Sequence, residues 1–104
     1  MERIKIKKIV KKYSDKLKEN NFPFSSIYLF GSQIKGTAHK DSDIDIAVIS
    51  PKFQNRFGRN WNKLWYFRDG IDDRIEPHGF TVKDFENMAD PLVYEIRKTG
   101  VIIA

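Results

Sequence analysis

Residues 31–46 constrain the fold of this chain more than any other segment. A Gly-Ser pair, Gly31 and Ser32, follows an apolar run at residues 28–30, and two aspartates that alternate with isoleucines occupy residues 43–46. Aromatic and β-branched residues favour strands, so strands are predicted at about 26–30 and 43–50. The Gly-Ser pair is then predicted to turn the chain between them, next to the aspartates.

Asp43 and Asp45 are predicted to share one face of the second strand. Side chains two residues apart in a strand point the same way, about 6.6 Å apart at the backbone, while Ile44 and Ile46 point into the core. Two carboxylates on one face repel each other unless a cation is nearby. Oxygen ligands of this kind suit Mg²⁺ or Mn²⁺, and Mg²⁺ characteristically binds one or two carboxylates together with substrate phosphates.

The Gly-Ser turn supplies groups that bind anions. Gly31 lets the backbone approach an anion closely, and Ser32 is predicted to cap a short helix. The Ser32 hydroxyl and the N–H groups at the start of that helix are donors for phosphate oxygens. Taken alone, the turn also fits an ordinary strand-to-helix connection, and the aspartates fit a polar strand end. Together they predict a site for a nucleotide's phosphates and its metal.

The spacing of these residues resembles the signature of the DNA polymerase β nucleotidyltransferase superfamily. The Gly-Ser pair is followed by ten residues, Gln33 to Ser42, and then by Asp43, Ile44 and Asp45. The chain looks most like the minimal nucleotidyltransferase branch, which includes MntA-type antitoxins paired with HEPN-domain toxins, and residues 74–80 and 91–96 share the likeness. The resemblance implies an α/β (α+β) fold, a small mixed β-sheet flanked by helices with a polymerase β-like core.

The resemblance also implies a reaction and its catalytic residues. Family members transfer a nucleoside monophosphate from a nucleoside triphosphate to a hydroxyl and release pyrophosphate. They use a third carboxylate on the next strand, for which Glu76 is the candidate, with Asp72 and Asp73 as alternatives because the sequence does not fix the register of that strand. Asp43, Asp45 and Glu76 are then the catalytic residues and the ligands of two Mg²⁺ ions, with ATP as the expected substrate.

The chain departs from the branch after the Gly-Ser pair. Many relatives have an arginine there, whereas this chain has the neutral Gln33, and Lys35 is the nearest cation. We therefore assign nucleotide binding to Gly31, Ser32 and Lys35.

Two histidines have weaker predicted roles. His78 lies two residues beyond Glu76 on the same predicted strand face, so it either lines the acceptor side of the site, orients that carboxylate or is a packed, non-catalytic residue. His39 is predicted to be exposed in the polar loop from Gly36 to Ser42.

Length and composition fit one small domain. Residues 1–104 have room for a single core of two packed layers, and we assign them to one minimal nucleotidyltransferase domain. The chain has no cysteine, no apolar run near the roughly 20 residues that cross a bilayer and no signal-peptide core, so we expect a cytoplasmic protein without membrane contact. The net charge of +5 favours polyanionic partners, although the lysines of the first helix also fit a solvated helix face.

The remaining pattern predicts further helices and strands. Trp61 and Trp65 share a face of a predicted helix, where they serve packing, an interface or base stacking. The predicted helices are residues 4–20, 57–69, a short helix through Met88 that a capping pattern of Thr81 and Asp84 opens, and 92–98 after Asp90 and Pro91. The predicted strands are residues 74–80 and 101–103.

Three functions remain open at this point. The first is an adenylyltransferase that modifies a protein hydroxyl on a partner toxin. Acceptor binding then comes either from a separate HEPN-like helical protein or from a second copy of the chain. The second is a non-catalytic antitoxin that neutralises its partner by occlusion, for which the aromatic and basic residues 57–67 are an interface candidate. The third is transfer to RNA or to a small hydroxylated molecule.

Overall fold

The computed structural model of the chain describes residues 3–53 and 59–104, with only the backbone at residue 59. In these ranges no helix has the length and apolar content that a membrane span requires. The elements, in chain order, are α1 (Arg3–Glu19), β1 (Ser26–Phe30), α2 (Ser32–Lys35), β2 (Ile44–Ile49), α3 (Arg59–Phe67), β3 (Ile75–Phe80), a 3₁₀ helix (Asp84–Glu86), α4 (Pro91–Thr99) and β4 (Val101–Ile102).

The strands form one mixed sheet in the order β3-β2-β1-β4. β1 pairs antiparallel with β2 and with β4, whereas β2 and β3 are parallel. Phe30 at the end of β1 lies opposite Asp45 near the start of β2, and Asp45 in turn lies opposite Glu76 near the start of β3. The pairing therefore brings the Gly-Ser turn and the acidic residues to the same end of the sheet.

The first face of the sheet is covered by α1 and α3. The apolar stripe of α1 at three-and-four spacing is buried as predicted, apart from Ile9, which is only partly buried. It packs with Leu64 of α3 on strand residues that include Ile44 and Ile46, both fully buried. The lysines of α1 lie mainly on its exposed side, as expected for a solvated helix face.

The second face of the sheet carries a separate core under the 3₁₀ helix and α4. Its buried members are Phe30, Ala47, Ile49, Phe80, Phe85, Val93 and Ile96. The chain thus has helical layers on both faces and two core clusters, rather than the single core of two layers expected from its length. The mixed sheet flanked by helices is confirmed.

Most predicted elements are present, with shifted ends. The helix predicted for residues 57–69 ends at Phe67, and its first residues lie outside the described part of the chain. Trp61 and Trp65 share a face, with ring centroids 6.3 Å apart, and Trp61 packs against the first core. The short helix predicted to reach Met88 is instead a single 3₁₀ turn. The N–H of Asp84 donates to Thr81 Oγ1 at 2.9 Å, but the N-cap position belongs to Lys83, so Thr81 is not the cap.

Candidate active site

Gly31 forms the turn between β1 and α2. Its φ of +79° lies in the left-handed region that favours glycine. A Cβ atom at this position would lie 2.6 Å from Asp45 Oδ2. The positive φ and the short distance both disfavour a side chain at residue 31. The turn and the Asp45 carboxylate are therefore packed directly against each other.

Ser32 is the first residue of α2 and not its cap. The N-cap position belongs to Gly31, without a side-chain capping bond, so the predicted capping role of Ser32 is wrong. The Gly31 carbonyl accepts from the N–H groups of Ile34 and Lys35, each at 3.0 Å. The half-buried Ser32 nevertheless lies in the turn, beside the acidic end of the sheet.

Asp45 and Glu76 form the centre of the site. They lie opposite each other in the parallel register of β2 and β3, and both side chains are partly exposed, by 24% and 38%. Burial raises the pKa of Glu76 above its ordinary value, and a hydrogen bond with Asp43 and the charge of Asp45 raise that pKa further, while His78 lowers it. The two aspartates and Glu76 therefore interact electrostatically in the absence of a cation.

Asp43 lies just outside β2. The strand begins at Ile44 rather than at Asp43, and Asp43 is exposed. The Gln33 side chain donates to the Asp43 carbonyl at 3.2 Å, which links the residue after the Gly-Ser pair to the acidic segment. Asp43 and Asp45 both act on Glu76, although only Asp45 belongs to a strand.

His78 completes a group of three side chains with metal-binding atoms. Its Nε2 atom lies 3.4 Å from Asp45 Oδ1 and 4.0 Å from Glu76 Oε1. The potential ligand atoms of Asp45, Glu76 and His78 all lie within 4.8 Å of one another, a group to which Asp43 does not belong. Two carboxylates and an imidazole on one strand pair are a donor set that fits a divalent cation.

Asp72 and Asp73 are not part of this group. Asp72 holds Arg74 by two hydrogen bonds to the guanidinium, at 3.0 and 2.8 Å, and this bond is the main reason that the pKa of Asp72 is below its ordinary value. Asp73 is exposed. Among the three carboxylates considered for the third position, Glu76 is therefore the one that meets Asp45.

Lys35 and His39 make contacts with residues outside the group of Asp45, Glu76 and His78. Lys35 Nζ is 3.5 Å from Glu95 Oε2 on α4, an ion pair that the sequence did not suggest because the partners are distant along the chain. His39 is exposed, as predicted, and its backbone N–H donates to Ser42 Oγ at 2.9 Å.

Comparison with known proteins places the chain in a family. A family model described as polymerase beta, nucleotidyltransferase matches residues 5–104. The chain belongs to this family. A polymerase beta nucleotidyltransferase domain accounts for the mixed sheet flanked by helices, and the resemblance read from the Gly-Ser and aspartate spacing is confirmed.

One curated relative aligns with 62 residues of the chain. Protein adenylyltransferase MntA of Shewanella oneidensis is 37% identical over 62 residues, which make up 59% of this chain and 44% of that protein. The aligned region thus spans less than half of that relative.

Solved structures share the fold. A Sulfolobus solfataricus protein assigned as a nucleotidyltransferase superposes with a TM-score of 0.63 at 19% identity, over 96% of this chain and 80% of that one. A mutant of the toxin–antitoxin MntA–HpeT gives a TM-score of 0.63 at 22% identity, over 90% and 71% of the two chains. A toxin–antitoxin structure with AMP-PNP gives 0.61 at 25% identity, over 89% and 71%.

Proposed function

We propose that the chain is a metal-dependent nucleotidyltransferase that transfers AMP from ATP to a hydroxyl group of a partner toxin and thereby acts as an antitoxin. The observation that carries the proposal is the meeting of Asp45, Glu76 and the Gly31 turn at one end of the sheet. Structural carboxylates gain nothing from such an arrangement, because their charges oppose each other. A cation bound to the carboxylates, together with a triphosphate, would offset this repulsion.

We assign the metal to Asp45 and Glu76, with Asp43 as a further ligand from the segment before β2. Their carboxylate oxygens are the hard donors that Mg²⁺ and Mn²⁺ prefer. Divalent ions bound there would supply charge neutralisation for the triphosphate and acidify the attacking hydroxyl. Glu76 then either completes the metal site or accepts the proton of the attacking hydroxyl.

We assign the phosphates to the turn that faces these carboxylates. Gly31 presents its backbone without a side chain, and Ser32 and Gln33 stand at the start of α2, where N–H groups point out of a helix. Lys35 follows on α2 as the cation that offsets phosphate charge. Its ion pair with Glu95 is exposed, and exposed pairs contribute only about 0–1 kcal/mol, so phosphate oxygens compete with it readily.

The nucleotide and the acceptor are inferred from the relatives. The curated relative is named a protein adenylyltransferase, and two of the similar structures are toxin–antitoxin proteins, one with AMP-PNP. These names support ATP as the donor and a toxin protein as the acceptor. We take that toxin to be a HEPN-type helical protein. Transfer to RNA is not favoured, because the lysines of α1 form an ordinary solvated helix face.

A labelling experiment tests the proposal. The chain is incubated with ATP carrying an α-phosphate label, Mg²⁺ or Mn²⁺, and the helical protein encoded by the adjacent reading frame. We expect label on the partner, less with GTP, and none with the Asp45→Asn variant. The matched control is Asp73→Asn, which removes an exposed carboxylate outside the cluster and is expected to retain transfer.

Neutralisation by occlusion is the second candidate function. Gln33 favours it, because the residue after the Gly-Ser pair is neutral and its side chain donates to the Asp43 carbonyl. Protection of cells from the toxin distinguishes the two candidates. Protection that persists in Asp45→Asn, without label on the partner, would establish occlusion and overturn catalysis.

A further inference from the structure

We infer that His78 is a metal ligand, so that one ion position of the site has a mixed nitrogen and oxygen donor set and prefers Mn²⁺ to Mg²⁺. The inference deepens the proposed function and depends on the site being a metal site. It concerns the choice of ion, which the two aspartates and Glu76 alone would leave open between Mg²⁺ and Mn²⁺.

The backbone aims His78 at the carboxylates. Glu76 and His78 are two residues apart on β3 and share a face, and in the parallel register Asp45 lies opposite Glu76. The neighbour of His78 across the strands is Ala47, whose small side chain leaves room for the imidazole. The ring of Phe30 packs against the imidazole with centroids 5.3 Å apart at 61°. This packing restricts the ring and leaves Nε2 on the side of the carboxylates.

The distances fit ligands of one ion better than a hydrogen bond. His78 Nε2 lies 3.4 Å from Asp45 Oδ1 and 4.0 Å from Glu76 Oε1. Nitrogen donors in proteins normally lie about 2.7–3.2 Å from their oxygen acceptors, so both distances are longer than a good hydrogen bond. Atoms that bind one cation at about 2.0–2.2 Å are separated by about 3 to 4 Å.

The imidazole changes which cation the site prefers. Oxygen donors suit Mg²⁺ and Mn²⁺ alike, whereas nitrogen donors favour transition-metal ions, and Mg²⁺ is seldom held by histidine. Adding His78 to Asp45 and Glu76 therefore strengthens Mn²⁺ binding more than Mg²⁺ binding. If His78 served only to pack, the ratio of Mn²⁺ affinity to Mg²⁺ affinity would be that of a site with oxygen ligands alone.

The test measures metal binding without activity. Mn²⁺ bound to the protein is examined by pulsed electron paramagnetic resonance, which detects a directly bound imidazole through its ¹⁴N coupling. The chain has two histidines, so labelling histidine with ¹⁵N and removing each in turn assigns the signal. We expect the coupling in the wild type and in His39→Ala, and its loss in His78→Ala and in His78→Gln.

Affinities provide the second readout. Titrations with Mn²⁺ and with Mg²⁺ should show Mn²⁺ affinity reduced about tenfold or more in His78→Ala, with Mg²⁺ affinity changed much less. Circular dichroism confirms that both His78 variants are folded, and the glutamine variant retains a polar side chain if the alanine variant is unfolded. Bound Mn²⁺ without a ¹⁴N coupling, or equal losses for the two ions, would overturn the inference and leave the proposed function standing. Coupling without any adenylyl transfer would support the inference and count against the proposed function.

Discussion

Gly31 and Asp45 are packed so closely that a Cβ atom at residue 31 would lie 2.6 Å from Asp45 Oδ2. Gly31 and Gly36 both have a φ of +79°, but a Cβ atom at Gly36 would meet nothing within 4 Å. Both glycines therefore have a backbone conformation that is strained for other residues, but only Gly31 contacts the site. They form a matched pair for mutation.

We expect Gly31→Ala to lose metal binding and transfer, whereas Gly36→Ala retains both. Each substitution should lower the free energy of unfolding by about 1–2 kcal/mol, because each puts a side chain in the left-handed region. Gly31→Ala should lose more, since its Cβ also displaces the Asp45 carboxylate. Urea unfolding and Mn²⁺ titration measure the two effects. Equal behaviour of the two variants would contradict the role of the contact.

Asp45→Asn is expected to remove activity without harming the fold. Its carboxylate lies close to Glu76, and the substitution removes a charge that opposes the neighbouring negative charges. In a chelator, the free energy of unfolding should stay the same or rise by about 0.5–1 kcal/mol, an effect that salt reduces. Thermal unfolding with and without EDTA measures it. A variant that is strongly destabilised in EDTA would show that Asp45 is a structural residue instead.

The third carboxylate can be identified by a short mutation series. Glu76→Gln should lose metal binding and transfer, because Glu76 lies beside Asp45 and His78. Asp73→Asn should behave as wild type, since Asp73 is exposed. Asp72→Asn should lose stability rather than activity, because Asp72 holds Arg74. Each variant is assayed by Mn²⁺ titration, label transfer and urea unfolding, and loss of transfer in Asp73→Asn with retention in Glu76→Gln would reverse the assignment.

Local signals in the sequence predicted the frame of the site. The Gly-Ser pair, the alternation of Asp43 to Ile46 and the cap at Asp90 each depend on neighbouring residues, and the structure has a turn, a strand and a helix start at these places. Strand and helix ends were less well predicted, because fraying and caps decide them. The Ser32 cap failed for this reason, since Gly31 in the left-handed region already occupies the cap position.

Long-range pairing decided what the sequence left open. Whether Glu76 or a nearby aspartate meets Asp45 depends on the register of β2 and β3, which no local pattern specifies. The same register makes His78, for which the sequence left three roles open, a neighbour of both carboxylates. The pair between Lys35 and Glu95 depends on where α4 docks on the sheet, so it was likewise invisible in the sequence.

The buried Tyr13 predicts how stability changes at alkaline pH. Its side chain is fully buried between α1 and α3, and its hydroxyl donates to the Leu64 carbonyl at 2.6 Å. Burial raises the pKa of Tyr13 well above its ordinary value of 10.0, with Arg68 opposing the shift. The fold therefore favours the neutral phenol. This contribution is complete below pH 10 and is lost as the pH rises above 10, where the unfolded chain releases the proton and the folded chain does not.

Tyr13→Phe should therefore change both the free energy of unfolding at pH 7 and the rate at which that free energy falls with rising pH. At pH 7 the free energy of unfolding of the variant should be lower by about 0.5–1.5 kcal/mol, because the hydrogen bond to the Leu64 carbonyl is lost. Between pH 10 and pH 11.5 its stability should fall less steeply than that of the wild type, since the group that resists deprotonation is absent. Urea unfolding across this range measures the slopes. Tyr66→Phe is the control for the loss of a tyrosine hydroxyl, because Tyr66 is 76% exposed. Identical slopes for the wild type and Tyr13→Phe would show that the Tyr13 hydroxyl does not contribute to the alkaline loss of stability.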